Sequence, residues 1–148
     1  MSVEVTIVDG PLVDIRAWDH EVMSSGVAGA HVVFEGRVRR EESARAITGL
    51  DYEVYEPMAV RELRRLGEEL LRRHGLLALR VLHSRGRVGI DAVSFRLEIL
   101  SGHRKEALKA MDEFIDRMKR DVPIWKRAVE ATAASTGSVV PGRTPEQT

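Results

Sequence analysis

Apolar and polar positions alternate from Val3 to Val8 and the alternation stops at Asp9-Gly10-Pro11, so the chain opens with a short strand closed by a turn. Leu12 to Met23 carries a weaker helical spacing that ends in Ser24-Ser25-Gly26. Gly29 to Arg39 then reads as a long strand, with Ala30, Val32, Phe34 and Val38 on one face and Arg37 and Arg39 on the other. A charged loop, Arg40 to Ala46, leads into Ile47 to Tyr55, which alternates again and is expected to pair with the strand before it.

Pro57 suits the first position of a helix, and Ala59, Leu63, Leu66 and Leu70 recur beyond it at helical spacing until Gly75 closes the last turn. Leu77 to Leu82 and Ala92 to Leu100 predict two further strands, separated by a turn around Gly86 and Gly89. A second helix starts at about His103, with Ala107, Met111, Ile115 and Met118 as its buried stripe. Pro123 stops it by lacking an amide donor and by disfavouring helix at Val122. Ile124 to Val129 returns as a strand. Strands are grouped and helices do not strictly alternate with them. That order favours an α+β fold, a mixed or antiparallel sheet with two main helices, over a doubly wound sheet. Residues 1–130 are expected to form one domain. Ala131 to Thr148, rich in Ala, Ser, Thr, Gly and Pro, offers too little apolar surface to offset the entropy of ordering and is expected to be a flexible tail.

Composition narrows the function classes. Lys plus Arg and Asp plus Glu are both 23, so attraction of the whole molecule to nucleic acid or to an anionic membrane is not expected, and any positive field must be local. The absence of cysteine excludes disulfides, thiolate metal sites and a cysteine nucleophile, and fits a reducing compartment. No signal-peptide pattern and no bilayer-length apolar run is present, which predicts a soluble cytoplasmic protein. The histidines show no paired metal-ligand spacing, and Gly86-Arg87-Val88-Gly89 lacks the spacing of a phosphate-binding loop, so neither a metal nor a cofactor is expected.

Three basic clusters lie at element ends: Arg37 with Arg39, His103 with Arg104, and Lys119 to Lys126. Guanidinium groups and free helix-start amides at such ends can converge on a phosphate. On spacing alone Arg37 and Arg39 read more readily as a solvated strand face, and Lys119 as a surface lysine favoured by its helix C-terminus. Lys126 alternates with Ile124 and Ala128, which suggests a partly buried, more reactive ammonium. Tyr52, Tyr55 and Trp125 read as packing residues.

Five stretches, in order, resemble the large, catalytic subunit of molybdopterin synthase: Phe34-Glu35-Gly36-Arg37-Val38-Arg39, Tyr52 to Ala59 (YEVYEPMA), His83 to Gly89, Ser101-Gly102-His103-Arg104, and Met118-Lys119 through Val122-Pro123-Ile124-Trp125-Lys126. The resemblance runs from about Val3 to Glu130. It departs in Arg40 to Ala46 (REESARA), which lacks that family's usual glycine and its acidic residue right after Arg39, and at Gly102, where alanine or proline is commoner. The resemblance implies a hammerhead-like β subdomain and a homodimer flanked by two small ubiquitin-like sulfur-carrier subunits, a heterotetramer. It also implies sulfur transfer from the carrier's C-terminal thiocarboxylate to cyclic pyranopterin monophosphate, giving the molybdopterin dithiolene. Lys119 and Lys126 match the family's catalytic lysines, and Arg39, His103 and Arg104 match its substrate-binding residues. The alternative is a non-catalytic module in which the same cations hold a phosphate or an RNA segment, and the balanced net charge argues against RNA.

Overall fold

β-branched and apolar residues at every second position build most of the sheet in the computed structural model, which describes residues 2–131 and 146–147. The strands are β1 (Ser2–Asp9), β2 (Ala30–Arg37), β3 (Glu41–Glu42), β4 (Arg45–Val54), β5 (Ala78–Gly89), β6 (Val93–Ser101), β7 (Ile124–Glu130) and β8 (Glu146–Gln147). Two helices, α1 (Met58–His74) and α2 (Arg104–Asp121), interrupt them, which makes the fold α+β as expected. The sheet runs β2-β6-β5-β4-β7-β8; β1 joins β5 in parallel, and the other pairings are antiparallel. The β3–β4–β7–β8 portion corresponds to the β subdomain that the resemblance likens to a hammerhead.

Both helices lie on one face of β1, β5, β6 and β2, where Leu63 and Leu70 of α1 and Phe114 and Met118 of α2 meet Leu79, Val81, Leu97 and Ile99. α1 ends where the sequence places its stop: Gly75 adopts φ 64°, and its amide reaches the carbonyls of Leu71 and Arg72. Val122 is extended (φ −88°, ψ 133°) ahead of Pro123 and so ends α2.

Three local expectations are corrected. Leu12 to Met23 is not an α-helix: among these residues the chain forms only a 3₁₀ turn, Glu21–Ser24. Buried Leu12 and Trp18 instead anchor an irregular strap. Trp18 packs with Ala78 and Leu100 on the sheet face opposite the helices, and His20 Nδ1 accepts the Val22 amide. Gly86 and Gly89 do not make a turn. β5 runs through both, and the reversal comes afterwards at Asp91 (φ 67°). Finally, β4 does not pair with β2 but lies between β5 and β7. It is tied back to the preceding segment through the two-residue β3 and the bond from the Ile47 amide to the Arg40 carbonyl.

Gly86, at φ 88°, is where β5 changes partners: residues 78–83 pair with β6, whereas Gly86 to Gly89 pair with β4. A left-handed φ inside a strand is tolerated by glycine and bends the ladder. The tail's residues 132–145 and 148 lie outside the described residues, and with them most of the segment expected to be mobile. Glu146–Gln147 pair with Trp125 and Lys126 at the β7 edge.

Gly49 sits in a close approach of β4 to β5, since a Cβ there would lie 2.7 Å from the Val88 carbonyl oxygen. A Gly49→Ala chain should therefore lose about 1–3 kcal/mol of stability in urea unfolding, the usual cost of forcing backbone apart in a packed region. Gly89→Ala, where an added Cβ meets nothing within 4 Å, should change far less. Equal losses at the two positions would refute the close-approach argument.

Candidate functional site

Three separate segments deliver cations to one cleft of about 250 Å³. The first is the end of β2. The β2–β6 register shifts between Gly36 and Arg37, and a bulge of that kind re-aims the side chains beside it. Val38 is buried and pinned by backbone bonds to Asp91 and Ala92, so Arg37 and Arg39 flank a fixed point and both line the cleft. The second is the last turn of α2, where buried Met118 anchors the helix and exposed Lys119 reaches the cleft. The third is β7, where Lys126 stands between buried Ile124 and Ala128 and directly opposite Tyr52 of β4.

The remaining wall is aromatic. Phe34, Phe95 and Tyr52 line the cleft, and His83 sits behind them, 5.8 Å from the Phe95 ring and 5.1 Å from the Tyr52 ring. The Tyr52 hydroxyl hydrogen-bonds the Ser94 hydroxyl at 3.0 Å. Burial pushes the Tyr52 phenol above its ordinary range, opposed by the Ser94 bond and helped by the nearby Glu42 charge, so it stays a neutral donor. Glu42 supplies the cleft's carboxylate, 3.2 Å from Lys126 Nζ. Apolar walls beside clustered cations give a low-dielectric surface on which an anionic ring compound can lie and be gripped.

Of the five residues singled out in the sequence, Arg39, Lys119 and Lys126 come together here, and Arg37 joins them. His103 and Arg104 do not. They open α2 and line a separate depression with Gly29 and Gly102, where Gly29 approaches so closely that a Cβ would lie 2.3 Å from the Gly102 oxygen. Lys119 lies fifteen positions beyond Arg104 in α2, roughly 22 Å at the helical rise. A single copy of the chain therefore presents two cationic sites at opposite ends of one helix. Sequence reasoning missed Glu42 and Ser94, because each reaches the cleft through a long-range pairing with no local periodicity. Among the described residues no group of three or more His, Cys, Asp or Glu is arranged to hold a metal ion.

The family model for MoaE protein matches residues 12–121. The molybdopterin synthase catalytic subunit of Dictyostelium discoideum is 33% identical over 118 residues, spanning 78% of this chain and 74% of that protein. The corresponding subunit of Thermoplasma volcanium is 38% identical over 102 residues, 69% of this chain and 74% of that protein. Among solved structures, the molybdopterin synthase of Staphylococcus aureus is similar with a TM-score of 0.73 and 31% identity, covering 86% of this chain and 91% of that one. A protein–protein complex of subunits 1 and 2 of the molybdopterin-converting factor from Helicobacter pylori also contains a similar chain. It has a TM-score of 0.73 and 25% identity, and the match covers 97% of this chain and 92% of that chain.

His83 makes the cleft's aromatic wall sensitive to acid. Burial lowers its pKa from 6.5 to about 4, partly offset by the bond between Nδ1 and the Ser84 carbonyl, and Nε2 has no partner among the described residues. The folded-state value is depressed, so the unfolded chain takes up a proton at a pH where the folded chain does not. The contribution is complete above about pH 6.5 and is lost as pH falls toward 4, amounting to about 3 kcal/mol. Unfolding free energies measured from pH 7 to pH 4 should decline less steeply for His83→Leu than for the parent chain. Parallel curves would exclude His83 as the source.

Proposed function

This chain belongs to the MoaE protein family, and from that premise we propose that it is the catalytic subunit of a molybdopterin synthase, an enzyme of molybdenum cofactor biosynthesis. In this reading it works in the cytoplasm as a sulfurtransferase and takes sulfur from the C-terminal thiocarboxylate of a small ubiquitin-like carrier. The acceptor is cyclic pyranopterin monophosphate, which becomes the molybdopterin dithiolene. The observation that carries the reading is the convergence of Arg37, Arg39, Lys119 and Lys126 on one cleft with an aromatic wall. No described helix is long and apolar enough to cross a membrane.

The chemistry needs what that cleft offers. Both reactants are anions, a cyclic phosphate and a thiocarboxylate, and fixed cations hold them without reorganising. The thiocarboxylate sulfur bonds to a pterin side-chain carbon as that carbon's bond to oxygen breaks, the oxygen leaving as phosphate or water. Water then cleaves the acyl carbon–sulfur bond, so the carrier leaves as a carboxylate with the sulfur kept on the pterin, and a second carrier repeats the transfer at the neighbouring carbon. Lys119, which has no ion-pair or hydrogen-bond partner among the described residues, is the group assigned to stabilise the charge that develops or to act as base or nucleophile. Lys126, half-buried beside Tyr52, is the second catalytic lysine. Arg39 is assigned to the substrate anion.

His103 and Arg104 fit this function only if a second copy of the chain contributes them. A homodimer within a heterotetramer of two large and two small subunits gives the 18-residue α2 a use for both ends: one copy's helix start faces the other copy's lysine cleft. An extended carrier tail, advancing up to about 3.3–3.6 Å per residue, threads the remaining opening while the carrier's body stays outside.

The direct experiment combines the protein, a thiocarboxylated carrier and the cyclic pterin precursor, and assays molybdopterin. Product should form with the parent chain, and Lys119→Ala or Lys126→Ala should abolish it with the fold intact. Salt-steep oligonucleotide binding without product would favour the binding-module alternative instead.

The shared site has its own test at sub-saturating precursor. Lys119→Ala and Arg104→Ala chains, each inactive alone, should recover up to about a quarter of parental activity when re-associated as a mixture. Half of the dimers are then mixed, and each mixed dimer has one intact site of two. A mixture as inactive as its components would rule out the two-copy site.

A further inference from the structure

Of the four cations around the cleft, Lys126 alone has an ion-pair partner among the described residues, and that partner is Glu42. The pair spans 3.2 Å, and its side chains are 24% and 15% exposed, so solvent and salt screen it far less than a surface pair. Glu42 reaches the cleft through unusual backbone. β3 is only two residues long, pairing Glu41 with Ala46 and Glu42 with Arg45. The connecting residues Ser43 and Ala44 both take left-handed φ, 51° and 61°, the mirror-type hairpin turn that glycine or asparagine normally fills. A hairpin this short, with strained turn residues, lies at the low-stability end of the fold and can yield locally without disturbing the sheet.

Resting on the function proposed above, we propose that Glu42 is a placeholder anion. It occupies the Lys126 ammonium while the cleft is empty, gives way to the carrier's terminal anion, and re-forms its pair as the spent carrier leaves. The physical reason is symmetry between reactant and product. The arriving thiocarboxylate and the departing carboxylate are anions of nearly the same size on the same tail, so an uncompensated cluster of four cations would hold both alike. Uniformly tight binding of that kind does not speed the chemical step, and it makes release slow. A resident carboxylate competes with both forms equally and returns the cleft to its starting state after each transfer. Tyr52, beside the pair, is a neutral phenol that burial, and to a lesser degree the Glu42 charge, pushes further from ionisation, and it offers the incoming anion a hydroxyl.

The test uses the full chain and a carrier ending in Gly-Gly, prepared with a free terminal carboxylate and, separately, with a terminal amide. Replacing Glu42→Gln keeps the size of the side chain and removes its charge. The carboxylate carrier should then bind about tenfold more tightly, chiefly through slower dissociation, with amide-carrier affinity unchanged. Glu42→Asp, which keeps the charge, should stay within a fewfold of the parent. With thiocarboxylated carrier, the first turnover should keep its rate in Glu42→Gln, and the steady-state rate should fall. Unchanged carboxylate affinity, or equal tightening toward the amide, would overturn the placeholder role. A slowed first turnover would overturn it in favour of Glu42 positioning Lys126 for chemistry. The binding arm needs no turnover, so failure of the parent chain to make molybdopterin would count against the proposed function and leave the placeholder measurement to be read separately.

Discussion

One strand, β5, serves two halves of the molecule, and the site depends on the point where it changes partners. Up to His83 its ladder is shared with β6 and up to Arg85 with β1, which places it under both helices; from Gly86 it is shared with β4. The two halves are therefore held by a continuous backbone as well as by their shared core, and the bend at φ 88° lets one strand serve both. Lys119 comes from the helical half and Lys126 from the β4–β7 half. His83, three residues before the bend, packs against Tyr52 of one half and Phe95 of the other. That ring fills the junction from behind while the cleft opens in front.

A chain with equal numbers of acidic and basic residues can still make a strongly positive cleft if its carboxylates are engaged elsewhere. Glu98, buried on the strap side, accepts hydrogen bonds from Arg80 and His31 and ion-pairs with Arg96; burial pushes its carboxyl up, but these partners, Arg80 foremost, hold it below the usual range. Glu113 and Glu69 meet Arg73, His74 and Arg117 across the two helices. Asp51 takes Arg87, and Asp9 and Glu56 take Arg85. With these acids paired at a distance, Arg37, Arg39, Lys119 and Lys126 face a single carboxylate in the cleft. The field is local because the neutralisation happens elsewhere.

What was legible in the sequence was whatever local periodicity encodes. The α1 stripe from Ala59 to Leu70 and its Gly75 stop, the α2 stripe ending ahead of Pro123, and the alternation in β1, β6 and β7 were all read close to their observed bounds. Periodicity does not say which strands are neighbours: alternation and chain order suggest β4 beside β2, whereas β5 and β7 enclose it. Gly86 and Gly89 carry the same symbol whether they turn a chain or bend a strand, and here the ladder continues through both. The strap from Leu12 to Met23 has apolar residues at helical intervals because Leu12 and Trp18 face the sheet, not because a helix is present. At the site, Arg39, Lys119 and Lys126 stand out in the sequence as basic residues at element ends and do converge, whereas Glu42 and Ser94 arrive through pairings 84 and 42 residues apart.

The separation of His103 and Arg104 from the lysine cleft follows from the rigidity of α2. An 18-residue helix with a buried face cannot bend its two ends toward each other, since its five buried residues, Ala107 to Met118, lie along one stripe against β2, β6 and α1. Flexibility of side chains does not close the gap either: an arginine reaches only about a third of the roughly 22 Å between Arg104 and Lys119. The helix start is also fixed in place, because the close approach of Gly29 to the Gly102 carbonyl ties it to the entry of β2. Under the proposed function, the two cationic ends meet at a common ligand when helices from two copies lie side by side in opposite directions. A two-fold axis gives that arrangement: it pairs each helix start with the other helix's end and generates two identical sites at once.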